Sequence, residues 1–226
     1  MSLFPIMSLP LFLLLVLTAV FGGSKVYLTA FKLFLTGVAV ALPLLLIDIL
    51  FMGRQPANYN FSRLYVFYLF TGQGYYFIFG AAIYTFFRLI KLSLFSGSGE
   101  AGVFAFFTGL YTVITIADMV MSAGRYNYYL LFLVPLLRVS LSLLGAYCLS
   151  EILEESGLRR LIFCLLLPAI PVIGSLVPAF YAFHVRSLTF LITALYAGAA
   201  LFLIWKISLT AGSPAVKHPL GRALRK

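Results

Sequence analysis

The sequence predicts an all-α protein, a polytopic transmembrane helix bundle of about seven spans with a Pro-broken sixth span. Three observations lead there. Of 226 residues, 63% are hydrophobic and only 10% charged, whereas a soluble domain carries roughly a quarter charged residues to cover its surface. Apolar runs of roughly 20 residues, enough to cross ~30 Å of hydrocarbon, recur along the whole chain. One of them, "LLLPAIPVIGSLVPAF", holds Pro168, Pro171, Gly174 and Pro178 within a single crossing. No polar stretch remains that could fold a soluble catalytic domain on a single anchor.

The first span is expected over about residues 3–21, because a removable signal needs a basic leader and a small-residue cleavage site. No Lys or Arg precedes Lys25, so the stretch reads as a retained span. The second is expected over about 27–52, followed by the polar loop "GRQPANYNFSR", and the third over about 64–90. A Gly- and Ser-rich loop, "KLSLFSGSGEAG", then leads to a fourth span at about 103–123. The short connector "GRYNYY" makes the fifth, at about 129–149, its antiparallel neighbour. The sixth is expected at about 161–183 and the seventh at about 188–209. Each proline in the sixth removes a backbone donor and crowds the carbonyl four residues earlier, so that helix should kink or break. Residues 1–209 thus form one transmembrane domain, and 210–226 a basic cytoplasmic tail.

Charge sets the expected orientation. The formal net charge is +10, and the basic residues gather at span ends rather than on a soluble face. Their expected partner is therefore a bilayer with anionic headgroups, not nucleic acid. Lys25, Arg88, Lys91, Arg159, Arg160, Lys206 and the tail's Lys217, Arg222, Arg225 and Lys226 fall on one side. Arg54, Arg63, Arg125 and Arg186 fall on the other. The richer side is expected to be cytoplasmic, with the N-terminus outside, in a cell (inner) membrane. Cys148 and Cys164 are the only cysteines and are expected to be two buried, reduced thiols.

Ionisable groups inside spans are costly and are usually paired or functional. Asp118 lies near the outer end of the fourth span and Arg138 about nine residues into the fifth, at depths about 6 Å apart. We expect an ion pair or a water-bridged equivalent. Asp48 and Gln73 fall in the same half of the membrane. Gly72 and Gly74 flank Gln73 and would allow close approach by another helix or a ligand. Asp118, Arg138, Gln73 and Asp48 are therefore the candidate substrate-binding residues, with separate helix-gluing contacts as the alternative.

Half of the six acidic residues, Glu151, Glu154 and Glu155, sit in "EILEESGLRR". "EESGLR", Glu154 to Arg159, resembles the E-E-x-x-x-R pattern of the CAAX-type intramembrane proteases, and "FYAFH", Phe180 to His184, resembles their F-x-x-x-H pattern. The resemblance implies that Glu154 and Glu155 activate a water and that His184 assists in binding metal or oxyanion. The same residues also read as a plain cytoplasmic turn, with a Glu155–Arg159 pair at i,i+4 spacing and Gly157 ending the fifth helix. We take the turn as the first reading, because Glu154 and His184 fall at opposite ends of the sixth span.

No nucleophile elbow, phosphate loop, Cys-x-x-Cys or multi-histidine metal motif is present, and no motif names a cofactor. The leading expectation is small-molecule binding or translocation, alone or with partner subunits as the membrane subunit of a transport complex. The alternatives are a membrane-embedded hydrolase using Glu154, Glu155 and His184, or a non-catalytic assembly subunit. Reporter fusions after Lys91, Arg125 and Lys226 should read inside, outside and inside. An outside signal after Lys226 would overturn the seven-span topology.

Overall fold

The structure, a computed structural model, describes residues 24–51, 60–92, 94–95, 99–121 and 128–211. The expected first span and the tail beyond 211 lie outside the described residues. The described chain is helical, and six of its helical stretches are long and apolar enough to cross a membrane. That architecture is compatible with a multi-pass integral membrane protein. Helices suit such a solvent because every backbone donor finds its acceptor within its own segment.

The helices follow in order. Helix α1 is Ser24–Phe51. The third expected span is two helices, α2 at Phe61–Thr71 and α3 at Gln73–Leu89. Helix α4 is Gly99–Met121. One turn of π-helix, Tyr129–Leu133, opens the next span and continues as α5, Val134–Glu154. Helices α6, Gly157–Gly174, and α7, Leu176–Ala182, form one 26-residue crossing, and α8 is Arg186–Ala211.

The irregularities have local causes. At Gly72 the backbone takes φ −109° and ψ −120°, and a Cβ there would sit 2.6 Å from the Tyr68 carbonyl oxygen. At Gly74 a Cβ would meet the Leu69 carbonyl oxygen at 2.3 Å. These glycines accommodate a break within their own span. The π-turn precedes Pro135, which cannot donate to the Leu131 carbonyl, and Val134 N–H instead bonds back to Tyr129. Pro168 and Pro171 stay inside α6, and the helix is interrupted at Ser175. Carbonyls near that interruption are capped from neighbouring helices: Tyr65 donates to Val172 at 3.1 Å and Tyr196 donates to Ile170.

Helix α5 lies at the centre, packed against α4, α6 and α8, while α1 packs chiefly on α4. The α1–α4 contact is unusually close and reciprocal. A Cβ on Gly37 would lie 2.0 Å from the Phe106 carbonyl oxygen, and one on Gly109 would lie 2.1 Å from the Phe34 carbonyl oxygen. Ala41 and Ala105, one turn away on each helix, are fully buried. In lipid, where apolar burial gives helices little reason to associate, this small-residue contact lets backbones meet.

Gly37→Ala should therefore lower stability by about 1–3 kcal/mol, since backbone rather than a side chain must move. Gly198→Ala is the control, because nothing lies within 4 Å of its added methyl. Thermal unfolding in one detergent should separate the two variants. Equal midpoints would refute the close α1–α4 packing.

Candidate functional site

Two ends of the bundle can be told apart by their residues. Asn60, Tyr128 and His184 mark one, and Arg88, Glu154 and Gly157 mark the other. Between them, a polar layer is built from α1, α3, α4 and α5.

Its centre is Arg138, a charged residue only 6% exposed. Residues 115 and 118 of α4 share a helical face that points at α5. Arg138 Nη2 donates to Asp118 Oδ2 in an ion pair, and Nη1 donates to Thr115 Oγ1 at 2.8 Å. Thr115 in turn donates its hydroxyl to the Tyr111 carbonyl at 2.7 Å, and the Tyr111 hydroxyl donates to the Gln73 backbone carbonyl at 3.3 Å. On the α1 side, Tyr76 donates to Asp48 Oδ2 at 2.6 Å. Asp48 and Asp118 act on each other electrostatically, and Tyr76 feels both together with Arg138. The structure therefore brings Asp118 and Arg138 into direct contact and places Asp48 and Gln73 in the same polar neighbourhood through Tyr76 and Tyr111.

Two polar atoms in this layer lack partners. Gln73 is 5% exposed and its Oε1 has no hydrogen bond, and Arg138 Nε is likewise buried without one. One is an acceptor and the other a donor. Asp48 makes no ion pair among the described residues. Leaving such groups unmet costs about 1–3 kcal/mol each, more for a charged one, so water or a ligand is the expected complement.

Aromatic side chains flank the layer on both sides. Toward the Asn60 end, Tyr129 stacks on Tyr181 with ring centres 3.9 Å apart, and Phe61 meets Phe180 and Phe183. Toward the Arg88 end, Phe77 stacks on Phe107, and Tyr84 packs edge-on against Phe106. A Cβ on Gly145 would fall 2.5 Å from the Phe77 ring, so that position must stay small for Phe77 to lie across it.

Residues of the hydrolase reading are not brought together. Glu154 ends α5 at the Arg88 end. His184 follows α7 at the other end, where its neighbours Phe180 and Phe183 touch Phe61. Along the crossing between them, Leu167 and Pro168 lie by Phe86, Val172 meets Tyr65, and Phe180 meets Phe61. Contacts thus advance steadily from one end to the other, without a fold back. His184 adopts φ 59° where Val185 N–H bonds to the Phe180 carbonyl at 2.9 Å, the left-handed residue of a helix cap. Glu155 is paired with Arg159 at 3.0 Å. Gly157, with φ 68°, turns the chain into α6. Among the described residues no group of three His, Cys, Asp or Glu side chains could hold a metal ion.

Thr115, Tyr76 and Tyr111 were not read from the sequence as parts of the site. Thr115 stands one turn before Asp118 and Tyr76 one turn after Gln73, so helical spacing carried a signal for both. Compared with known proteins, the chain matches no family model, and no curated protein or solved structure is detectably similar to it.

Asp118→Asn should destabilise the protein by about 1–3 kcal/mol, less than for a fully buried pair because the Asp118 side chain is 35% exposed. Asp118→Asn with Arg138→Gln should cost less than the sum of the single changes. Additivity in that cycle, measured on detergent-solubilised protein, would refute the coupling.

Proposed function

We propose that this protein binds a small polar solute in the layer formed by Asp118, Arg138, Gln73 and Asp48 and carries it across the membrane, alone or as the membrane subunit of a complex. One observation supports this above others: two buried polar atoms, Gln73 Oε1 and Arg138 Nε, are left without partners beside a fixed ion pair. Contacts that only glue helices together would be expected to satisfy each other. A layer with donor and acceptor capacity to spare suits a hydrogen-bonding guest. Arg138, already oriented by Thr115 and Asp118, would present Nε, while Gln73 would accept. Asp48, held by Tyr76, would supply a carboxylate toward a cationic or hydroxylated part of the solute. In this reading the aromatic tiers above and below exclude bulk water and would have to part for passage.

Water access tests the reading. In a background with Cys148→Ala and Cys164→Ala, single Thr115→Cys and Gln73→Cys variants should react with a charged, membrane-impermeant maleimide. Leu141→Cys, at a fully buried core position, should not. Folded Thr115→Cys and Gln73→Cys proteins as inert as Leu141→Cys would show a dry structural contact and overturn the proposal.

A further inference from the structure

A groove of about 410 Å³ lies away from the polar layer, toward the Arg88 end, and is almost wholly apolar. Phe77, Ala81, Ala82 and Phe86 of α3 form one wall, with Leu149 of α5 and Pro168 of α6 opposite. Its origin is geometric. The α2–α3 and α6–α7 crossings touch near the Asn60 end, through Phe61 with Phe180 and Tyr65 with Val172. Farther along, Ala81 and Ala82 put little side chain between them, and a cleft remains. Leu89, 71% exposed, borders it where α3 ends. Within membrane-crossing segments, the medium available to fill an apolar cleft is hydrocarbon.

The charges at that end are of both signs and incompletely matched. Arg88, in the last turn of α3, has a buried Nη1 with no hydrogen-bond partner. Glu154, at the end of α5, feels Arg88 and Glu151 electrostatically but closes no ion pair with a described residue. Glu155 is already paired with Arg159. Arg88 and Glu154 thus act on each other electrostatically, and neither closes an ion pair with a described residue. A purely anionic headgroup would satisfy Arg88 but meet repulsion from Glu151 and Glu154. A headgroup carrying a phosphate and a primary ammonium would complement both signs, with phosphate oxygens accepting from Arg88 and ammonium hydrogens donating to Glu154.

We infer that this groove is a binding site for one aminophospholipid, its acyl chain between α3 and α6 and its phosphoethanolamine-type headgroup bridging Arg88 and Glu154. The site is separate from the polar layer and does not depend on solute transport.

The test uses the full chain, purified in detergent and presented with equal amounts of phosphatidylethanolamine, phosphatidylcholine and phosphatidylglycerol of matched chains. Native mass spectrometry should show one lipid retained, with phosphatidylethanolamine preferred by about tenfold, a difference of one decade in affinity. Ala82→Trp, a change at an exposed lining position, should abolish retention without altering the melting temperature. Glu154→Gln should keep a bound lipid but lose the preference for the primary ammonium. Arg88→Gln should weaken all three lipids, and if it fails to fold the other two variants still decide. Equal retention of the three lipids by the wild-type chain, or unchanged phosphatidylethanolamine retention by Ala82→Trp, would overturn the inference.

Discussion

The buried Arg138 guanidinium is the constraint around which the bundle is arranged. A permanent cation inside a membrane crossing must be met by hydrogen bonds and an opposite charge, because hydrocarbon supplies neither. Both come from α4, as the Thr115 hydroxyl and the Asp118 carboxylate. Those two residues lie one helical turn apart, so they can meet one guanidinium only if α4 and α5 keep a particular register. Helix α5 in turn carries the packing of α6 and α8. A slip of α4 along α5 by one turn would move the acceptors by about 5.4 Å and strand the charge.

The second determinant is backbone proximity. Gly37 and Gly109 bring α1 and α4 together tightly enough that neither position has room for a methyl group. This fixes the side of the bundle on which Asp48 stands, and so lets Tyr76 reach it from α3. Tyrosines do similar work elsewhere. Tyr65 and Tyr196 donate to the Val172 and Ile170 carbonyls, within a few residues of the interruption at Ser175. A tyrosine hydroxyl on an apolar ring suits that task, since the ring packs in the core while the hydroxyl finds a backbone oxygen.

Much of this architecture is legible in the sequence, and the illegible parts share a cause. Apolar run lengths place the crossings because bilayer thickness acts on composition directly. Asp118 and Arg138 can be paired because a short connector sets their relative depth. The reciprocal small residues at 37 and 41 on α1 and at 105 and 109 on α4 also leave a trace, the small-xxx-small spacing, though nothing in one chain says which two such helices meet. The break at Gly72 is not legible from composition, because the geometry at a break depends on where the next helix must go. Of the residues expected to break the sixth span, Pro168 and Pro171 remain inside α6, while the interruption at Ser175 falls between Gly174 and Pro178, whose ring removes the donor for the Gly174 carbonyl.

The two short patterns around Glu154 and His184 show what separates a motif from a site. Spacing along a chain carries chemistry only if the fold converts it into proximity. Here a 26-residue crossing stands between the two patterns, which at 1.5 Å per residue is about 39 Å. Each half has a sufficient local cause instead. Glu155 and Arg159 pair across the connection into α6, and His184 takes the left-handed conformation that turns α7 into α8. The polar layer is the reverse case. Asp48, Gln73, Asp118 and Arg138 form no motif, yet helix packing gathers them into one neighbourhood through Tyr76, Tyr111 and Thr115. In a chain this apolar, every polar atom held inside the membrane carries a desolvation cost, and self-sufficient pairs account for most of them. Gln73 Oε1, Arg138 Nε and Thr108 Oγ1 are not so accounted for, and the first two stand in the layer that holds the buried ion pair, far from the acidic turn.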